Sequence, residues 1–181
     1  SMLHKINILT ETSGERLDSA EKNGTGISCG IDSFYTIKTH ANDEDCPDGM
    51  KVNCLTFFNV GSHGDKGGEE ARSLYIKRKE NSKKFAKEFE FDFLEMDSNI
   101  SDIIKLNYPM THTYRNCAAV LSMQKYFSTY YYSSGYSIYD FKIAKESSAY
   151  YDTFIFSALS NENVTFYSTG VTQTRMEKTI D

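Results

Sequence analysis

The chain has 181 residues, of which 39% are hydrophobic and 25% are charged, as in an ordinary globular domain. No apolar run approaches the roughly 20 residues that a membrane helix needs, so we expect no membrane association. The net charge of -5 argues against a nucleic-acid partner, because proteins that hold nucleic acid usually carry a basic excess. We expect a single domain over residues 1–181, either complete in itself or one piece or subunit of a larger enzyme.

The four cysteines show no pattern of a metal or disulfide site. They contain no CxxC pair, and no cysteine or histidine set has the spacing of a zinc site. The start of the chain has no apolar region typical of a secretory signal. These features predict reduced thiols and a cytoplasmic location.

Turn formers and apolar runs divide the first part of the chain into short elements. Residues 5–9 predict a strand, and the small residues at 24–28 predict a turn that leads into a helix over residues 32–38. Residues 52–60 are apolar almost throughout, which is typical of a strand buried on both faces of a parallel sheet. The glycine-dense segment 61–68 predicts an exposed loop.

Residues 69–88 predict a long helix that carries seven of the 20 lysine and arginine residues of the chain. Basic side chains from Arg72 to Lys87 crowd the positions outside an interrupted apolar stripe. A solvated helix face is the favoured interpretation of these basic side chains, and a polyanion site is the alternative.

The rest of the chain continues the alternation of strands and helices. Residues 91–96, 129–132 and 164–167 predict strands, and residues 100–106 and 116–127 predict helices, the second of them largely buried.

Five predicted strands alternating with helices favour a three-layer α/β/α fold with a mainly parallel, doubly wound sheet. Glycine- and serine-rich segments follow Ile27, Val60, Tyr132 and Tyr167. Because parallel strands share one carboxyl edge, we expect these segments to lie together where such sheets bind ligands.

The segment Ser-Cys-Gly-Ile-Asp-Ser at residues 28–33 is the strongest candidate for a functional loop. Backbone N–H groups at a helix start bind anions, and the hydroxyls of Ser28 and Ser33 add two donors. Gly30 allows close approach of a ligand, and Asp32 fits a site where Mg²⁺ bridges phosphates. A simple capped turn explains the same residues equally well.

This segment resembles the Ser-Gly-Gly-x-Asp-Ser signature of the PP-loop ATP pyrophosphatases, which have the Rossmann-like adenine nucleotide alpha hydrolase-like fold. In that family the loop lies between the first strand and the first helix and binds the pyrophosphate part of ATP. The resemblance implies ATP and Mg²⁺ as ligands, with Asp32 at the metal. It places the nucleotide at Ser28, Cys29, Gly30, Ile31, Asp32 and Ser33.

Looser similarities extend the resemblance over about residues 26–178. Asn59 and Val60 resemble the end of the second strand, near the adenine, and Gly135 is similar to the fourth-strand end beside the nucleotide. Arg175-Met-Glu-Lys178 resembles an Arg-x-Glu-Lys element of some members. The resemblance implies that Asp32 and Lys178 act in catalysis, Lys178 by neutralising departing pyrophosphate.

The chain departs from the family at Cys29, where glycine is usual, and we expect a tolerated small residue rather than a nucleophile. The resemblance implies adenylation of a substrate carboxylate or carbonyl-type oxygen, with release of pyrophosphate before amide or sulfur transfer. A non-catalytic nucleotide-binding or partner-binding module is the alternative. The acceptor is unspecified, and a partner domain, another subunit or a second copy of the chain could complete the site.

Two further residues are weaker candidates. His63 follows a strand near the expected site, and a solvated histidine is favoured over one that orients a phosphate. Arg115 precedes a predicted helix, where binding of an anion and a surface ion pair are equal alternatives.

Overall fold

The computed structural model describes residues 21–64 and 67–180. Within these residues a single five-stranded sheet has the order β3-β2-β1-β4-β5, and every neighbouring pair is parallel. The strands are β1 Lys22–Gly26, β2 Cys54–Asn59, β3 Asp92–Asp97, β4 Phe127–Ser133 and β5 Thr165–Thr169. The predicted parallel, doubly wound α/β fold is confirmed.

Helices connect the strands in the alternation that the sequence predicts. The α-helices are α1 Ile31–Ile37, α2 Gly68–Glu88, α3 Ile100–Ile103, α4 Tyr108–Ser122, α5 Asp152–Leu159 and α6 Glu177–Ile180. A π-helical turn, Lys38–Asn42, extends α1, and three 3₁₀ turns lie at Asp48–Met50, Ile138–Asp140 and Ser148–Tyr151.

Strand β2 shows how the layers form, because its side chains alternate between the two faces of the sheet. Leu55 and Phe57 pack in a core with residues of α1 and α2. Cys54 and Phe58 pack in a second core with Val120 of α4 and residues of α5. The sheet therefore lies between two helical layers, as in a three-layer α/β/α domain.

The first strand differs from the prediction. The predicted strand at residues 5–9 lies outside the described residues, and β1 instead overlaps the segment 24–28, which predicted a turn. Gly24 has no room for a side chain because the neighbouring strand fills the space: a Cβ there would lie 2.6 Å from Phe127. Thr25 is fully buried and donates a hydrogen bond to the Tyr131 carbonyl.

Helix α4 starts eight residues earlier than predicted and ends before residue 127. Pro109 lies in its first turn, where a missing N–H group costs no helical hydrogen bond. Phe127, assigned to the helix by its apolar neighbours, is instead the fully buried first residue of β4.

None of the helices within residues 21–64 and 67–180 combines the length and the apolar composition needed to cross a bilayer.

Candidate functional site

A cleft of about 300 Å³ opens at the carboxyl ends of β1, β2 and β4. The chain passes from β1 to β2 in one direction and returns from β3 to β4 in the other, so the cleft lies where the strand order reverses. Open parallel sheets bind ligands at this position. The site expected from the glycine- and serine-rich segments is therefore a real concavity of the molecule.

The segment between β1 and α1 forms one wall of the cleft, through Ser28, Asp32 and Ser33. The Ser33 hydroxyl donates to the Gly30 carbonyl over 2.8 Å and accepts from the Gly30 N–H group over 3.2 Å. The Ser28 hydroxyl lies 3.4 Å from the Ser33 hydroxyl. Ser33 thus shapes the turn from within, whereas Ser28 is exposed to the cleft.

Cys29 has a φ of 56°, in the left-handed region that glycine adopts without strain. Glycine would therefore adopt the backbone conformation at this position more readily than cysteine does. The exposed thiol lies 3.7 Å from the hydroxyl of Ser82 on α2, which in turn donates to the Ile27 carbonyl over 3.4 Å. The side chain of Cys29 therefore points towards α2, and Ser82 ties that helix to the loop.

Asp32 lies between two cations contributed by the last described segment of the chain. Lys178 Nζ is 3.1 Å from Asp32 Oδ1, and Arg175 is 3.1 Å from Asp32 Oδ2. The Lys178 side chain is only 2% exposed, and its ammonium group also donates to the Ser134 carbonyl over 2.7 Å. Gly135 is adjacent, since a Cβ there would lie 3.2 Å from Arg175. The structure thus places Asp32, Gly135 and Lys178, three of the candidates that the resemblance names, next to one another.

A buried carboxyl group, that of Asp152, is linked to this cluster through Ser134. The Ser134 hydroxyl donates to Asp152 Oδ2 over 2.5 Å and lies 2.8 Å from the Ser168 hydroxyl. Burial raises the pKa of Asp152 to about 6, although the Ser134 hydrogen bond and the charge of Lys178 act in the opposite direction. Sequence reasoning missed these residues, because only the packing of α5 against β4 and β5 brings them together.

The wall formed by β2 and α2 contains a histidine that the sequence wrongly predicted to be solvated. His63 is 8% exposed, and its ring lies 5.2 Å from that of Phe57 and 5.4 Å from that of Tyr75. Its Nδ1 atom is 3.0 Å from the Ser62 hydroxyl. Burial lowers the pKa of His63, and the nearby charge of Arg78 lowers it further. His63 is therefore a neutral part of the wall at pH 7.

The opposite wall, from β4 and α4, is aromatic and neutral. The Tyr130 hydroxyl is 2.6 Å from the Thr56 hydroxyl, and the Asn116 amide donates to the Tyr108 hydroxyl over 2.9 Å. Tyr132 also lines the cleft, whereas Tyr131 faces the other side of the sheet. Alternation along β4 therefore places Tyr130 and Tyr132 in this wall and excludes Tyr131 from it.

Arg115 is neither an anion ligand nor part of a surface ion pair. It is 4% exposed, and its guanidinium donates to the Val60 carbonyl, the Ser101 hydroxyl and the carbonyls of Ile104 and Leu106 over 3.0–3.3 Å. These bonds fasten the segment after β2 to the turn before α4. Arg115 is therefore a structural residue beneath the site.

Asn59 and Val60 do not line the cleft. The Asn59 amide donates to Asp97 over 2.8 Å, and Val60 is buried in the core. Thr56, Phe57 and Phe58 of the same strand line the cleft instead. Strand β2 thus lines the cleft through its middle residues, whereas Asn59 at its end turns towards β3.

The described residues contain no group of three histidine, cysteine, aspartate or glutamate side chains placed to hold a metal ion. Both carboxylate oxygens of Asp32 already contact cations. Two positive charges around one carboxylate disfavour a further cation there, so these surroundings do not fit a magnesium ion held directly by Asp32.

A scan against protein-family models gave no match, and searches of curated proteins and of solved structures found no significant similarity.

Proposed function

We propose that the cleft binds an adenine nucleotide whose phosphate tail lies on the loop at residues 28–33. The observation that carries this proposal is the position of that loop: it forms a wall of a cleft at the switch point of a parallel sheet. Its similarity to the PP-loop signature supports the same ligand.

The charges beside the loop favour an anion. Asp32, Arg175 and Lys178 together carry one net positive charge, and the ammonium group of Lys178 is held in place by two oxygen atoms. A fixed cation beside a cleft attracts a polyphosphate without having to be reoriented. In this proposal Asp32 positions Lys178 and Arg175 for the tail.

The remaining walls suit a base and a sugar. A volume of about 300 Å³ is at the lower end of the range for small-molecule sites, and aromatic side chains with a few polar groups line it. Phe57, Tyr130 and Tyr132 offer apolar surface, and Thr56 and Asn116 add hydrogen-bonding groups.

The reaction that we propose is adenylation. An oxygen of a substrate carboxylate or carbonyl-type group attacks the α-phosphorus, the bond from that phosphorus to the bridging oxygen breaks, and pyrophosphate leaves with the electron pair. An amine, ammonia or sulfur nucleophile then displaces AMP. The protein contributes alignment of the reactants and stabilisation of the charge on pyrophosphate by Lys178 and Arg175.

A non-catalytic nucleotide-binding module is the second candidate, and two observations favour it. Cys29 occupies the left-handed position where the resembling signature has glycine, so a side chain stands at the loop. Both oxygens of Asp32 are already engaged. Nucleotide binding with no release of pyrophosphate, in the presence of carboxylate acceptors together with ammonia, would select this candidate.

In this proposal magnesium binds together with the nucleotide, because the phosphates supply oxygen ligands to the ion in such sites. The roles proposed for the protein side chains do not depend on the magnesium ion.

We also propose a cytoplasmic location and an unidentified acceptor or partner. All four cysteines are free thiols, and two of them, Cys54 and Cys117, are buried. Unpaired cysteines of this kind are typical of a reducing compartment.

Calorimetric titration with Mg-ATP tests the binding proposal, with Ser28→Asp as the informative variant and Ser28→Asn as its matched control. Ser28 is exposed at the loop, so neither change should alter the fold. The added carboxylate should repel the phosphate tail and weaken binding by about tenfold or more, whereas the neutral amide should change it little. Equal affinities of the two variants, or no heat from the unaltered protein, would refute the site.

A further inference from the structure

The helical face that carries Arg78 is fixed beside the loop by its neighbours. Tyr75 and Ser82 lie three residues before and four residues after Arg78, so the three side chains share one face of α2. Tyr75 packs against His63, and Ser82 contacts Cys29 and the Ile27 carbonyl. Arg78 lies between these two anchors and lines the cleft.

Arg78 differs from the other basic residues of its helix that lie near β3. Arg72 is 3.2 Å from Asp97, and Lys79 is 3.1 Å from Glu95, so strand β3 neutralises both. Over residues 21–64 and 67–180, Arg78 forms no ion pair. It is also the only lysine or arginine among the described residues that line the cleft.

The groups nearest to Arg78 do not compensate its charge. His63 is neutral at pH 7, since burial lowers its pKa, and Ser62 offers only a hydroxyl. Asp32, the one carboxylate among the described residues that line the cleft, is held by Arg175 and Lys178. An unpaired guanidinium at the mouth of a cleft is suited to a phosphate or carboxylate, which it can bind through two parallel hydrogen bonds.

We propose that Arg78 binds the phosphate tail of the nucleotide, so that the cleft distinguishes ATP and ADP from AMP and adenosine. This inference rests on the proposed nucleotide site and adds a residue that the loop signature does not contain. Arg78 lines the same cleft as Ser28 and Ser33 of the loop, so the guanidinium and the loop face one ligand site. Arg78 would then contact the tail directly, and Lys178 would add its positive charge from the Asp32 side of the loop.

The test is a calorimetric comparison of ATP, AMP, adenosine and pyrophosphate on four proteins: unaltered, Arg78→Gln, Arg78→Lys and Lys77→Gln. Lys77 is the matched control, because it is exposed, carries the same charge and points to another side of the helix. Arg78→Gln should weaken ATP and pyrophosphate binding by about tenfold to a hundredfold and leave adenosine unchanged. Arg78→Lys should recover part of the loss, and Lys77→Gln should lose less than about threefold.

Three results would overturn the inference. Arg78→Gln could bind ATP as tightly as the unaltered protein, it could lose adenosine and ATP binding by the same factor, or Lys77→Gln could lose as much as Arg78→Gln. Failure of the nucleotide site itself has a different signature, because the unaltered protein would then bind none of the four ligands. A thermal unfolding curve for each variant confirms that a loss of binding reflects the side chain and not the fold.

Discussion

The two sides of the cleft carry their positive charges in opposite ways. On the Asp32 side, Lys178 is buried and donates hydrogen bonds to Asp32 and to the Ser134 carbonyl. On the α2 side, Arg78 is exposed and forms no ion pair within residues 21–64 and 67–180. The comparison teaches that charges beside one site can be held in different ways: the cations on the Asp32 side are fixed by contacts within the chain, whereas Arg78 keeps its guanidinium free of ion pairs within the described residues.

The largest effect should follow from removing the buried cation. Lys178→Met leaves Asp32 with only the exposed Arg175 and leaves the Ser134 carbonyl without its donor. We expect a loss of about 3 kcal/mol in the free energy of unfolding, measured by urea denaturation. Arg78→Gln, on the other side of the cleft, should change this free energy by less than about 0.5 kcal/mol.

Arg175→Gln is the control within the Asp32 side, since the Arg175 side chain is 67% exposed and its ion pair should contribute less than about 1 kcal/mol. If Lys178→Met and Arg175→Gln destabilised the protein equally, burial would not be the reason why Lys178 contributes more to stability than Arg175.

The next effect is the pH dependence of stability that Asp152 confers on the Asp32 side of the cleft. Burial raises the pKa of Asp152 to about 6, from 3.8 for an ordinary aspartate, so the folded protein holds this proton more tightly than the unfolded chain. The stability from this group is therefore complete below about pH 4 and is lost as the pH rises through 6, by about 2 to 3 kcal/mol.

Asp152→Asn removes this titration. Its free energy of unfolding, relative to that of the unaltered protein, should rise by the same amount between pH 4 and pH 7 in denaturant titrations. A difference that stays constant over this range would show that Asp152 titrates normally.

The smallest effect should come from the loop between the two sides. Cys29→Gly relieves the left-handed strain at φ 56° but adds freedom to the unfolded chain, so stability should change by about 0 to 1 kcal/mol in the favourable direction. ATP affinity should be kept or improved. Cys29→Val, whose branched side chain tolerates this φ poorly, should lose at least about 1 kcal/mol in the free energy of unfolding measured by urea denaturation. A valine variant as stable as the unaltered protein would contradict the loop conformation.

Features that depend on local pattern could be predicted from the sequence. The apolar run of β2 and the small polar loop at residues 28–33 each carry their own signal, and both lie where the pattern indicates. Strand β1 carries no such signal, because the rings of Phe127 and Tyr130 occupy the space where its side chains would be.

Features that depend on distant contacts could not be predicted with the same detail. Asp32 and Lys178 are 146 positions apart, and only the family resemblance linked them. The carboxyl group of Asp152 meets Ser134 because α5 packs behind the sheet. Arg78 was one of many basic residues on its helix, and the contacts of Tyr75 and Ser82 are what orient it towards the cleft.

A crystal structure of the protein with a non-hydrolysable ATP analogue tests the central claim most directly. We predict phosphate oxygens within about 3 Å of backbone N–H groups or hydroxyls at residues 28–33, with Arg78 and Lys178 on either side of the tail. Phosphates bound elsewhere on the molecule, with this loop free of ligand, would contradict the proposed site.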